Sequence, residues 1–366
     1  MAAAISLEAV TKRFARTGPA AVEDLTLSID PAAITVVVGP SGCGKTTVLR
    51  MINRLVEPTS GRILVEGNDV RAMPVHELRR SIGYVIQQTG LFPHRRVFDN
   101  IATVPRLLGW PRDRIATRVA ELAELVGLDP ELLDRYPGAL SGGQQQRAGV
   151  ARALAADPPV LLMDEPYSAV DPLTRSRLQD ELLALQERMG KTIVLVTHDV
   201  DEAIRLADRI AVVNVGGHLE QYDTPDAILR QPATPFVESF LGAERGLRRM
   251  SLLLVADVPL NDDTAVPASA TPAEARAVAA GSGATWVGVV DGSRLLGWVA
   301  VDDLNGQRTV ADAPLRPPGA VVRPDTRLRE ALDVVVTSPQ RATAVVDDNE
   351  QFLGLLTIDQ ISDGLQ

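Results

Sequence analysis

The stretch Gly39–Thr47 reads GPSGCGKTT and joins two segments of different character. Before it, Ile34–Val38 (ITVVV) is a short unbroken apolar run, which predicts a buried strand. After it, residues 46–55 have the spacing of a helix. A strand that enters a glycine-rich turn and leaves as a helix narrows the chain to a few α/β arrangements. The nine residues also fit G-x-x-x-x-G-K-[ST], in the strand-to-helix context that this pattern requires. Glycines let successive backbone N–H groups curl around an anion without Cβ clashes, and the helix N-terminus adds positive potential. The expected ligand is therefore a polyphosphate, cradled by Gly39, Pro40, Ser41, Gly42, Cys43, Gly44, Lys45, Thr46 and Thr47. Lys45 would reach the β- and γ-phosphates, and Thr46 would offer its hydroxyl to Mg2+.

A chain of 366 residues is long enough for two domains, or three small ones. With 45% hydrophobic and 23% charged residues, it has material for ordinary globular cores. No run of about 18 apolar residues is present, and the N-terminus lacks the pattern of a secretory signal, so any membrane link is expected to come through partner chains. A net charge of −10 argues against nucleic acid as the main partner. The single cysteine, Cys43, excludes an internal disulfide and suits a reducing compartment.

Residues 1 to 242 alternate strand and helix signals. Val160–Met163 (VLLM) and Thr192–Thr197 (TIVLVT) are further buried-strand candidates, with a helical stretch from Leu173 to Met189 between them. Such alternation implies a largely parallel sheet covered by helices. From Val97 to about Pro137 the pattern is helical, with Ile115, Val119, Leu122 and Val126 on one face. A short charged link, residues 243–249, leads to a second region, 250–366, that repeats itself. VGVVDGSRLLGWVAVDDL, ending at Leu304, matches TAVVDDNEQFLGLLTIDQI, ending at Ile361: strand, acidic turn, strand, helix start. Gly297 and Gly354 take matching places, and the halves divide at about 250–308 and 309–366. Two such units could bury together a core that neither buries alone.

Asp164 and Glu165 follow the VLLM strand. Asp164 is expected beside the phosphate loop, where a carboxylate holds Mg2+ through its water shell. Glu165, one residue on, is placed to activate a water against the γ-phosphate. His198 ends the TIVLVT strand and would orient that water. His76, His94 and His218 show no ligand spacing, so no transition-metal site is expected. Leu140–Arg147 (LSGGQQQR) precedes a helix read as residues 148–156, and Ser141, Gly142 and Gly143 form a second small-residue turn suited to phosphate. If this turn cannot meet the phosphate loop of its own chain, two subunits must pair and complete each other's sites.

The phosphate loop, LSGGQ, Asp-Glu and His, in that order over the first 240 residues, resemble the nucleotide-binding subunit of an ABC transporter. The resemblance implies an α/β fold: a P-loop NTPase core of the ABC type with an antiparallel β subdomain and a helical subdomain. It also implies ATP and Mg2+ as cofactors. By the same resemblance Gln87 senses the γ-phosphate, contacts Mg2+ with Thr46 and Asp164, and links to the transmembrane partner. Phe14 would stack on adenine, and Asp171 would cross the dimer interface. The duplicated C-terminal region resembles a tandem CBS pair, an α+β module. An ATPase domain followed by such a pair is similar to importers of glycine betaine, proline, carnitine or choline; another solute is the alternative. The implied assembly is a homodimer at the cytoplasmic face of the membrane with two permease subunits, served by a solute-binding protein and binding no nucleic acid. Nucleotide-binding CBS units carry T-x-x-D after the second strand, whereas these repeats offer Ala300 with Asp303 and Thr357 with Gln360. That disfavours an adenosine nucleotide and leaves a cyclic dinucleotide, another CBS ligand, ionic-strength sensing or a purely structural dimerisation module. A soluble translation factor would carry two phosphate loops, and a DNA-repair ATPase a long coiled coil between the motifs; this chain has neither.

Overall fold

The apolar runs become strands, and mostly polar helices each bury a limited set of side chains. The computed structural model describes residues 3–87, 90–168, 170–260 and 265–365. The chain divides into two compact units, residues 1–242 and 243–366.

In the first unit the strands are, in chain order, β1 (Ile5–Lys12), β2 (Val22–Ile29), β3 (Ile34–Val38), β4 (Ser60–Val65), β5 (Asn68–Asp69), β6 (Ile82–Val85), β7 (Val160–Asp164), β8 (Thr192–Thr197), β9 (Arg209–Asn214) and β10 (His218–Asp223). They form an antiparallel sheet ordered β2-β1-β4-β5 and a larger sheet ordered β10-β9-β3-β8-β7-β6. In the larger sheet only the β9–β10 pairing is antiparallel. Every residue of β3, β7 and β8 is buried, which is why these strands read as continuous apolar runs rather than alternating ones. One core ties the sheets together, with Ile5, Leu7, Val22, Ile63, Leu49, Met51, Val194 and Val196 in a single cluster.

Ile115, Val119, Leu122 and Val126 are all buried, and the first three lie in the helix Arg112–Leu125. The helix after the phosphate loop is shorter than its spacing predicts: it runs Lys45–Ile52, and turn hydrogen bonds carry the chain on to Leu55. The helix after LSGGQ differs more. It runs Gly142–Leu154 and so starts before the expected residue 148. Ser141 caps it in a box with Gln144, a local signal that apolar periodicity does not register in a run of glycines and glutamines.

The second unit begins with a helix, Arg245–Met250, that takes up most of the stretch expected to be a link and ends one residue beyond it. Its strands are β11 (Ala265–Pro267), β12 (Trp286–Asp291), β13 (Arg294–Ala300), β14 (Val321–Val322), β15 (Ala342–Val346) and β16 (Phe352–Thr357). They form two small sheets, β11-β12-β13 and β14-β15-β16, each with a parallel pair followed by a hairpin. Both hairpins shift register beside the matched glycines. A Cβ on Gly297 would stand 2.2 Å from the Arg316 carbonyl oxygen, so close backbone approach requires glycine at that position. Leu295 and Trp298 of one half share a core with Ala344 and Leu355 of the other. The leading segments are exchanged: Met250, Val255 and Val258 pack into the core of the second half, and Val310 and Ala313 into that of the first.

Candidate functional site

Parallel strands deliver their carboxyl ends to one edge of a sheet, where ligands of α/β folds bind. Here β3 delivers the phosphate loop, β7 ends on Asp164, β8 runs into His198, and Gln87 follows β6. Because β8 lies between β3 and β7, the loop, the histidine and the carboxylates converge.

The loop needs its glycines for two reasons. A Cβ on Gly39 would stand 2.0 Å from the Val213 carbonyl oxygen, and one on Gly44 would stand 2.4 Å from that of Ala21. Gly42 is different: its surroundings are open, but its φ is +80°. Lys45 is buried, and its Nζ donates to the carbonyls of Gly39 (2.8 Å) and Pro40 (3.0 Å), which holds the ammonium inside the loop. Cys43 is buried beneath it.

The Thr46 hydroxyl donates to Asp164 Oδ1 at 2.8 Å. Burial raises the Asp164 carboxyl above its ordinary value, against the pull of that hydrogen bond and of the Arg50 charge. Tyr84 closes the other side; burial first, then the Asp164 charge, push its hydroxyl up to about 12. A hydroxyl beside a buried carboxylate is a hard-oxygen donor set, which fits Mg2+.

Glu165 leaves the strand with φ of 45°, a left-handed conformation uncommon for a residue with a side chain, and its N–H donates to the Val196 carbonyl at 2.9 Å. This turn aims the carboxylate between two partners. Gln87 Nε2 donates to Oε2 at 3.1 Å, and His198 Nδ1 lies 3.3 Å from Oε1. Three residues predicted separately from sequence therefore meet.

Among the described residues, no hydrogen bond or ion pair links Phe14, Ser141, Gly142, Gly143 or Asp171 to this cluster. Ser141 is engaged in its capping box, with Gly142 and Gly143 opening the helix. A Cβ on Gly143 would stand 2.9 Å from Thr174 Cγ2, so this turn packs on the helix Pro172–Met189. Asp171 caps that helix through the Thr174 N–H, which holds its carboxyl below the usual range. Phe14 is 67% exposed, with the Lys12 ammonium 5.0 Å from its ring centroid. In the C-terminal unit the Gln360 side chain accepts from Thr357 and donates to the Pro259 carbonyl, so it is already committed where T-x-x-D would present a carboxylate. Sequence reasoning missed Tyr84 and Arg50, both of which act on the Asp164 carboxyl. Only Arg50 carried a signal, one helical turn after Thr46.

A phosphate loop facing a buried carboxylate and an acid–histidine pair at the ends of parallel strands is the apparatus of a P-loop nucleotide hydrolase. Residues 22–168 match the family described as ABC transporter, and residues 310–366 match the CBS domain. The carnitine transport ATP-binding protein OpuCA of Listeria monocytogenes is 44% identical over 358 residues, covering 96% of this chain and 90% of the relative. The glycine betaine/carnitine/choline transport ATP-binding protein OpuCA of Bacillus subtilis is 44% identical over 362 residues, covering 96% and 94%. Among solved structures, the dimeric MJ0796, described as a bacterial ABC transporter cassette, is 33% identical over 60% of this chain and 98% of that one, with a TM-score of 0.55. The chain belongs to the ATP-binding subunits of ABC transporters, within the branch that carries a CBS domain. It binds ATP and couples its hydrolysis to transport.

Proposed function

We propose that two copies of this chain clamp two MgATP and drive an importer of quaternary-amine osmoprotectants such as glycine betaine, carnitine or choline. The meeting of Gln87, Glu165 and His198 beside the Thr46–Asp164 bond carries the mechanism. Lys45 and the loop amides hold the phosphates. Thr46 and Asp164, with Gln87, would hold Mg2+, which when bound neutralises phosphate charge. Glu165 accepts the proton of the attacking water, and His198 keeps the carboxylate and the water in line. Phe14 stacks on adenine. The partner subunit's Ser141, Gly142 and Gly143 seal the far side of the nucleotide, and Asp171 reaches across the interface. The dimeric MJ0796 supports this pairing.

The solute class rests on the names of relatives that match nearly the whole chain. Transmembrane permease subunits and a solute-binding protein complete the assembly, which places the chain at the cytoplasmic face of the membrane. The division at residue 242 separates motor from regulator, with 250–366 as a tandem CBS module that senses ionic strength or a ligand such as a cyclic dinucleotide.

Two measurements test this reading. Glu165→Gln should bind ATP normally and turn over about 10²-fold or more slowly, accumulating an ATP-bound dimer on size exclusion. A normal rate removes Glu165 as base. Uptake of radiolabelled glycine betaine, carnitine and choline should disappear in a deletion strain; unchanged uptake of all three refutes the solute class.

A further inference from the structure

Behind Glu165 and His198 lies a polar cavity of about 60 Å³ whose far wall is Glu202. A water needs roughly 10–15 Å³ of such space, so there is room for more than one. Glu202 is only 6% exposed, and its Oε1 has no hydrogen-bond partner among the described residues. Its other oxygen accepts from the Thr197 hydroxyl at 2.8 Å, so Thr197, next in the chain to His198, fixes the carboxyl. Arg175 lines the same cavity and has an unpartnered buried Nε, while its other nitrogens reach the Val170 carbonyl (3.2 Å) and Asp199 (3.5 Å). Two unsatisfied buried polar atoms on one small polar cavity are the conditions that hold ordered water.

We propose that Glu202 is the proton acceptor behind the hydrolysis site, reached from Glu165 through water held in this cavity. The inference rests on the reading of Glu165 as base. As the oxygen of the attacking water bonds the γ-phosphorus, the bond to ADP breaks and the water's proton passes to Glu165. A cavity water then takes that proton and gives one of its own to Glu202 Oε1. One proton moves from Glu165 to Glu202, and nothing is oxidised or reduced. Glu202 acts through Glu165 and touches no nucleotide, so it is a positioning residue.

The electrostatics agree. Burial, helped by the Asp199 charge, pushes the Glu202 carboxyl up to about 7, against the Thr197 bond and the charges of Arg175 and His198. Tyr167 also lines the cavity, and burial holds it neutral. An acceptor near neutrality can take a proton and release it within each cycle.

The test compares ATPase rates of the full chain, assembled with its membrane partners, between about pH 6 and pH 9. The wild type should slow as Glu202 protonates, giving an acidic limb near neutrality. Glu202→Gln should lower the rate at high pH about tenfold, flatten that limb and leave the KM for ATP unchanged. An unchanged rate, or a limb that survives the substitution, overturns the proposal. Thr197→Val is the second variant if Glu202→Gln folds poorly. The lost hydrogen bond favoured the ionised carboxyl, so the limb should move to higher pH; a limb that stays in place also overturns the proposal. Glu165→Gln separates the two layers: a normal rate there removes the base itself, whereas a collapsed rate beside a normal Glu202→Gln removes the relay alone.

Discussion

Thr46 and Asp164 are 118 residues apart in sequence, yet the hydroxyl of one donates to the carboxylate of the other at 2.8 Å. The bond joins the first turn of the loop helix to the end of β7, so the two groups proposed to hold Mg2+ are already in register. Asp164→Asn can preserve this bond through its Oδ1 while losing the charge. ATP turnover should fall about 10²-fold or more, since a metal bound to phosphate supplies several kcal/mol of transition-state stabilisation. A Mg2+ titration of the ATPase measures this.

The same substitution should make the protein more stable in the absence of Mg2+. Burial raises the folded-state value of the Asp164 carboxyl above its ordinary 3.8. Stability from such a group is present below the unfolded value and is lost as pH rises through the folded one. Asp164→Asn should therefore melt above the wild type at neutral pH, and the gap should close toward about pH 4. Thermal scans in chelator across that range check the sign.

The loop glycines should not be equivalent. Alanine at Gly39 drives a Cβ into the Val213 carbonyl of β9, and at Gly44 into that of Ala21 with φ at +107° as well. Neither neighbour can yield, because both are backbone, so each change should destabilise the first unit by roughly 3 kcal/mol and abolish ATP binding. Gly42→Ala meets open space and carries only the strain of its positive φ, about 1 kcal/mol. Thermal unfolding and nucleotide titration of the three variants should rank them so.

The residues gathered at this edge of the sheet were legible where neighbours in sequence stay neighbours in the fold. The phosphate loop, Asp164–Glu165 and His198 each occupy a short motif at the end of an apolar run. What the motifs do not carry is strand order. Nothing in TIVLVT says that β8 lies between β3 and β7, and that position brings His198 to Glu165. Tyr84 and the role proposed for Glu202 were invisible for the same reason, since both depend on burial against distant segments. In the C-terminal unit the duplication was plain, but similarity between halves reveals which segments are alike, not which pack together. The exchange that sends Met250 and Val255 into the second half's core follows from chain path rather than pattern.

That shared core makes the second unit cooperative, and Trp298 is its test. The indole is 2% exposed, packs with Leu295, Ala342, Ala344 and Leu355 from both halves, and donates through Nε1 to the Pro318 carbonyl at 3.1 Å. Trp298→Ala removes a large apolar volume from the core and deletes the bond to the half-buried Pro318 carbonyl, at a cost of about 3–5 kcal/mol. Since neither half can rebuild the interface alone, both should unfold together rather than one surviving. Calorimetry should show the transition of residues 243–366 falling as a single peak while that of residues 1–242 stays in place. ATP binding should be retained, because the phosphate loop, Asp164 and Glu165 all belong to the first unit.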